Sequence, residues 1–360
     1  MKVLLTGHSG YIGSVLVPML LKARHEVTGF DTDLFAGCDF NRGLVDVPAI
    51  HKDLRDATVV DLKGFDAVIH LAALSNDPLS DLNPECTYEI NHRASVRLAE
   101  LAKMAGVARF LFSSSCSLYG LAAGADFLAE DASFNPVTPY GESKVLVERD
   151  VSSLADENFS PTYLRNSTAY GVSPRLRADL VVNNLVGFAY TTGEVLIASD
   201  GTPWRPLVHV EDICRAFLTI LEAPRERIHN QAFNVGQTEE NYQIRDIAAM
   251  VEEIVPGSRI KYAAGGGPDL RSYRVNCDKV VGALPGFRPQ WTVRRGIEQL
   301  YDAYKNNRLD LEEFQNTKYS RIKHIKKLLN DGRLDSELRW NGRDCSDNYY
   351  EMPVSRETSS

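Results

Sequence analysis

No apolar run in this sequence approaches the ~18 residues that a membrane-spanning helix requires. Basic residues are in deficit. Lys and Arg number 40 against 48 Asp and Glu, a formal net charge of −8, which argues against a chain that draws its affinity from nucleic-acid phosphates. Cysteine is sparse: Cys38, Cys86, Cys116, Cys214, Cys277 and Cys345 are scattered without a C-x-x-C pair. Neither a zinc site nor a disulfide framework is suggested, no metal is expected, and reduced thiols fit the cytoplasm. A signal-peptide pattern is also missing, because Met1-Lys2 runs straight into a strand. What remains is an ordinary globular composition, 44% hydrophobic and 24% charged, in 360 residues that can hold two lobes.

The stretch from 2 to 31 carries the clearest organisation. Lys2-Val-Leu-Leu-Thr6 reads as a buried strand, Gly7-His-Ser-Gly10-Tyr-Ile-Gly13 follows, and an apolar helix runs from about Ser14 to Ala23. A second strand, Glu26 to Phe30, ends on Asp31. In such a unit Gly7 permits the tight turn, Gly10 lets backbone approach a pyrophosphate, and Gly13 lets the helix pack on the sheet. The free N–H groups at the helix start face the phosphates. Asp31, eighteen residues past Gly13, is placed to accept bonds from an adenosine ribose. A 2′-phosphate there would meet Asp31 and Asp33 with no adjacent Arg, so NAD is favoured over NADP.

Further along, residues 32–40 read as an irregular loop that either covers the adenosine half of a cofactor or is a surface connection. Asp53 at a strand end is placed to accept from an adenine amino group, with Leu54 against the ring. Ala67-Val-Ile-His70-Leu71-Ala72-Ala73 is a buried strand whose terminal alanines leave room for a ligand, and His70 reads as a core histidine. Pro84 to Gly106 has helical spacing, with Asn91 placed to brace the neighbouring strand. Arg109-Phe-Leu-Phe112 runs into Ser113-Ser-Ser115-Cys116-Ser117, and hydroxyls at a strand end need partners such as a sugar would supply. Tyr140 opens a helix to about Leu154 and shares one face of it with Lys144. A nearby ammonium and a cationic nicotinamide would both lower a Tyr pKa of about 10. Such a Tyr takes a proton from a substrate hydroxyl while hydride leaves to the cofactor, and Ser115 bonds the same oxygen.

Thr6-Gly7-x-x-Gly10-x-x-Gly13, Asp31, His70-Leu-Ala-Ala73, Ser113-Ser-Ser115, Tyr119-Gly120 and Tyr140-x-x-x-Lys144 together resemble the extended short-chain dehydrogenase/reductases, and within them the nucleotide-sugar epimerases and dehydratases. The resemblance runs in order to about residue 300. It implies an α/β fold, a Rossmann-type doubly wound parallel sheet with a smaller α/β C-terminal substrate-binding lobe. The implied division is 1–165 with returning segments near 205–235 for NAD, a discontinuous 166–305 for the nucleotide sugar, and a helical extension over 306–360. The implied cofactor set is Gly7, Ser9, Gly10, Tyr11, Ile12, Gly13, Asp31, Asp53, Leu54, Leu71, Ala72 and Ala73, with Tyr140 and Lys144. The implied substrate set is Ser75, Ser117, Asn166, Asn183, Arg205 and Arg271, the two arginines meeting a diphosphate. His209 and Asp212 are expected to join the lobes. A homodimer through helices over 84–106 and 140–155 is implied as well.

One departure discriminates among reactions. The 4,6-dehydratases of that family place Asp and Glu directly after the catalytic hydroxyl residue, and here Cys116 and Ser117 stand there. A free thiol, with a pKa near 8.5, and a serine are no comparable acid/base pair. Epimerisation is therefore expected, with Ser115, Tyr140 and Lys144 as its catalytic residues. Cys116 is either an acid/base beside the ketone, which would allow an altered dehydration, or a small buried residue. A net ketoreductase using NADPH is disfavoured by Asp31, and a non-catalytic dinucleotide sensor by the presence of both Tyr140 and Lys144. In the tail, 309–314 and 318–329 read as two helices, the second with Tyr319, Ile322, Ile325 and Leu329 on one face, packed on its own domain or on a second subunit.

Overall fold

Val3, Leu4 and Leu5 have no exposed surface, because their strand lies in the middle of a sheet covered on both faces. The computed structural model describes residues 1–41, 43–121, 127–263 and 272–342. Seven parallel strands form the sheet, in the order Gln231–Val235, Ser160–Asn166, Arg109–Ser115, Ala67–His70, Lys2–Thr6, Glu26–Asp31 and Ala49–His51. The pleat sends alternate residues to opposite faces. Val3 and Leu5 meet the helices Gly13–Lys22 and Val210–Glu222, through Leu16, Ile213 and Phe217. Leu4 meets Ala94–Met104 and Pro139–Ser152 on the other side, through Leu98 and Val147. This is the doubly wound arrangement expected, and chain order reverses between Lys2–Thr6 and Ala67–His70. That switch point, outside the carboxyl ends of the strands, is where such sheets bind ligands.

A second apolar cluster lies beyond those ends. Helices Val181–Thr192, Ile244–Ile254 and Val293–Asn306 pack there, with Glu194–Ile197 paired in parallel to Arg259–Tyr262. Asp212 joins this part to the sheet helix, accepting from the backbone N–H groups of Gln290 and Trp291 at 3.0 and 2.9 Å. His209 Nε2 donates to Gln299 Oε1 at 2.8 Å, and its ring stacks on Trp291.

The tail packs on its own chain. Helix Arg321–Asn330 buries Arg321, Ile325 and Leu328 against Leu34, Leu74, Leu79 and Cys86. Tyr319 does not belong to that helix face. It precedes the helix and is buried beside Phe40 in the second cluster, its hydroxyl donating to Glu313 at 2.8 Å. Helical periodicity holds from Arg321 onward, and Ser320 in extended geometry separates Tyr319 from it.

Candidate active site

The glycine turn is shaped by space. Gly7 has φ +72°, and a Cβ on it would lie 2.8 Å from the Ala72 nitrogen. A Cβ on Gly13 would run into the carbonyl oxygens of Gly7 and His8. The helix that follows has no side-chain cap; Ser14 N and Val15 N bond Gly10 O and Ile12 O at 3.0 and 3.1 Å, which leaves the N–H groups of Ile12 and Gly13 for a ligand. At the tip of the second strand Asp31 accepts from Asp33 N at 3.0 Å and from the Ser9 hydroxyl at 2.9 Å. Asp53 is gripped by Arg55, with Nη2 at 2.6 Å. Burial raises its pKa, but the Arg55 bonds and charge prevail and hold it below the usual carboxylate range.

These groups border one cleft of ≈ 710 Å³, within the ~300–1,000 Å³ typical of ligand sites. Gly7, Gly10, Tyr11, Ile12 and Gly13 lie on its wall, with Asp31, Asp53 and Leu54 at one end and Leu71, Ala72 and Ala73 on the floor. Ser9 does not. Its hydroxyl is spent bridging Asp31 and Asp33, so it positions the carboxylate instead of facing the cleft. The 32–40 loop is part of the wall through Leu34 and Phe35.

The strand ending at Ser115 and the helix Pro139–Ser152 bring the polar centre together. Thr138 caps that helix, accepting from Gly141 N at 3.2 Å, and Pro139 opens it. Lys144 Nζ donates to Ser113 O at 2.7 Å and sits 5.5 Å from the Tyr140 ring centre. Burial pulls the Lys144 ammonium down to about 7, opposed by the Glu148 charge. Burial also pushes the Tyr140 hydroxyl up to about 12, against a lowering hydrogen bond with Ser115. The lowering of Tyr140 expected from Lys144 is therefore absent in the chain alone, because desolvation outweighs it. Ser115 accepts from Ser117 N at 3.1 Å, and both hydroxyls reach the cleft. Asn166 donates to Ser113 Oγ at 3.0 Å while its buried Oδ1 has no partner among the described residues, an atom that a ligand donor in the cleft would satisfy.

Two further expected residues are, like Ser9, turned away. Cys116 is fully buried, its thiol donating to Arg165 O at 3.2 Å, and burial pushes its pKa up to about 12. It is not on the cleft wall. Asn183 is equally buried, accepting from Gly171 N at 2.9 Å and donating to Arg177 O at 3.0 Å. Its neighbour Asn184 reaches the wall instead, as do Ser75, Arg205 and Tyr273. Arg271 lies outside the described residues. His70 is a core histidine, between Thr6 Oγ1 at 2.6 Å and Ser95 Oγ at 2.8 Å, and burial pulls it down to about 3. Asn91 braces the loop after that strand, accepting from Leu74 N at 2.8 Å.

Sequence reasoning missed Glu148, which holds Arg165 through Nε and Nη2 at 3.1 and 2.7 Å beneath this centre. The signal was available, since Tyr140, Lys144 and Glu148 are successive i, i+4 positions. It also missed Tyr273 and the tail's Arg321, both on the wall.

The residues fit a nicotinamide dinucleotide. The turn has room for backbone to approach phosphate, the adenosine end offers carboxylates to ribose hydroxyls, and the floor is lined by small side chains. Comparison with known proteins agrees. Residues 3–236 match the NAD dependent epimerase/dehydratase family. A UDP-glucose 4-epimerase from Lactobacillus helveticus is 30% identical over 295 residues, covering 75% of this chain and 87% of that protein. The structure of MoeE5 in complex with UDP-glucuronic acid and NAD superposes with a TM-score of 0.73 at 30% identity, covering 85% of this chain and 99% of that one. The UDP-glucuronic acid 4-epimerase from Bacillus cereus, solved with UDP-glucuronic acid and NAD, gives a TM-score of 0.71 at 27% identity over 85% and 99% of the two chains. With the glycine turn, the carboxylate tip and the Tyr140–Lys144 helix face on one cleft, the chain belongs to the NAD-dependent epimerase/dehydratase family, whose members are enzymes.

Proposed function

We propose that this enzyme epimerises a nucleotide-diphosphate sugar by transient oxidation and return of hydride. One observation carries the choice within the family. Ser115, Tyr140 and Lys144 share the cleft, while Cys116, the first of the two positions that hold Asp and Glu in 4,6-dehydratases, is withdrawn into the core and bonded to backbone. Ser117 does reach the cleft, but a serine is no acid or base for eliminating water.

NAD supplies the hydride acceptor and donor when bound. Tyr140 takes the proton of the sugar hydroxyl as the carbon gives up hydride, and returns it when hydride comes back to the other face of the keto sugar. Ser115 bonds the same oxygen and Tyr140 together. Lys144, anchored on Ser113 O, presents its charge to Tyr140 and to the nicotinamide ribose. Arg205 and Asn184, on the cleft wall, meet the substrate diphosphate, with Arg271 as a further candidate. The UDP-sugars bound by MoeE5 and by the Bacillus cereus epimerase support a UDP-sugar as substrate.

Ser115→Ala is expected to lower kcat about 10- to 100-fold, the scale of one hydrogen bond to a developing charge, with bound NAD unchanged. Steady-state kinetics together with cofactor content checks it. The reaction itself is tested by incubating the protein with a panel of NDP-sugars in deuterated water and analysing products by mass spectrometry. A product of unchanged composition and new retention time is expected. Loss of one water would make this a dehydratase and overturn the reading. We further take the enzyme to work in the cytoplasm as a homodimer through the helices over 84–106 and 140–155. These already lie side by side, joined by Tyr88 to Glu142 at 2.6 Å and His92 to Asp150 at 2.7 Å. No helix among the described residues is long and apolar enough to cross a membrane.

A further inference from the structure

The C-terminal arm does more than cover an apolar patch. It is stitched to the loops that frame the adenosine end of the cleft. Trp340 Nε1 donates to Thr32 O at 2.7 Å, and His324 Nε2 lies 2.9 Å from Leu34 O. Arg55, which grips Asp53, also donates to Glu337 O at 2.8 Å, and Arg339 pairs with Asp56 at 2.7 Å. Leu338 reaches the cleft wall itself.

Arg321, at the start of the arm's helix, is the unusual member. Only 5% of it is exposed, yet it lies on the wall of the cleft. Its guanidinium sits 3.7 Å from the centre of the Phe35 ring, and among the described residues it has no hydrogen-bond or ion-pair partner. Its neighbours are already satisfied. Arg177 pairs with Asp179 at 2.7 Å. Arg175 pairs with Asp39 at 2.7 Å and donates to Ser9 O at 3.1 Å and Phe35 O at 2.8 Å. Burial first, and then the adjacent Arg177, pull the Arg321 guanidinium down to about 10, against the opposing charge of Asp179, which is already paired with Arg177. A buried guanidinium with five donors and no acceptor is costly unless an anion joins it. The contacts running from Arg321 through Phe35 and Arg175 to Ser9 lead directly to the glycine turn, whose uncapped helix start offers N–H groups to the same kind of ligand.

We propose that Arg321 contacts the diphosphate of the bound dinucleotide, so that the C-terminal arm, which lies outside the residues 3–236 matched to the family, is the clasp that retains NAD. The proposal rests on the dinucleotide site and is independent of whether the enzyme epimerises or dehydrates. Phe35 packs against the guanidinium, Arg321 reaches the phosphates from the cleft wall, and the Trp340 and His324 bonds hold the adenosine loop against the ligand.

The test uses the full chain, purified and stripped of nucleotide, with Arg321→Met, Arg321→Ala and Arg321→Lys. Methionine keeps an apolar stem on Phe35 and removes only the charge and donors. Calorimetric titration is expected to show a Kd for NAD raised about 10- to 100-fold in the Met and Ala variants and partly recovered by Lys. The loss is expected for ADP-ribose as well and absent for AMP, which has no diphosphate. Melting without ligand is expected to be unchanged or higher in Arg321→Met, with the NAD-induced rise reduced. An NAD Kd within twofold of the parent in Arg321→Met would overturn the proposal. So would weakened binding of UDP at unchanged NAD affinity, which would give Arg321 to the substrate diphosphate.

Discussion

Tyr140→Phe is expected to lower kcat by about 10²–10⁴-fold, the scale of a lost general acid/base, with little change in NAD content or in KM. The substitution removes one oxygen and leaves the ring in place. That oxygen is the atom to which the surrounding groups are tuned: Ser115 bonds it, Lys144 Nζ lies 5.5 Å from the ring centre, and Ser113 O holds Lys144 at 2.7 Å. Burial sets Tyr140 at about 12 in the chain alone, so at neutral pH it begins as the phenol. The positive nicotinamide ring supplies, when bound, the charge that favours the phenolate. Activity should therefore rise with pH along an acid limb that belongs to Tyr140, and the residual activity of Tyr140→Phe should lack that limb. Rates measured across pH, with the reduced nicotinamide followed by absorbance in a single turnover, check both. Full turnover in the variant would remove Tyr140 from the chemistry.

The parts of this site that were legible in the sequence are those where a short local pattern fixes geometry. The Gly7–Gly13 turn and Asp31 sit in one βαβ unit, and the Tyr140–Lys144 pair needs only one helical turn. What was not legible depended on orientation or on distant chain. Asn183 and Asn184 are adjacent in the same helix, about 100° apart, and nothing local decides which faces the cleft. Gly171 N and Arg177 O claim Asn183. Cys116 opens the 3-10 turn Cys116–Tyr119 that follows the strand, so alternation along the strand does not decide where its thiol points, and it is Arg165 O, from a distant strand, that claims it. Arg321 escaped because a charged residue on a buried helix face is invisible to a count of apolar positions. Its use appears only when the tail is folded onto Phe35.

The largest loss of stability from one substitution is expected at Glu148. Glu148 and Arg165 have side chains only 6% exposed, and they join the helix that carries Tyr140 and Lys144 to the strand beside Ser115. Burial alone would pull Arg165 down, but the Glu148 bonds and charge raise it overall. Arg165 also donates to the Tyr119 hydroxyl at 3.0 Å, which donates in turn to Asn234 at 2.8 Å, and Ser114 donates to Glu148 at 2.5 Å. Glu148→Gln leaves the guanidinium buried and uncompensated, a loss of about 3–5 kcal/mol. Denaturant unfolding of the NAD-loaded protein measures it. Glu148→Leu combined with Arg165→Met should recover much of that loss, since two apolar groups replace the pair without an orphaned charge. Activity should not recover with it. Glu148 raises the affinity of Lys144 for its proton, so removing the carboxylate makes Lys144 give up its charge at lower pH. The double variant is expected to be stable yet to lose activity as pH rises through a lower value than in the parent. Stability and activity recovering together would mean that the pair serves the fold alone.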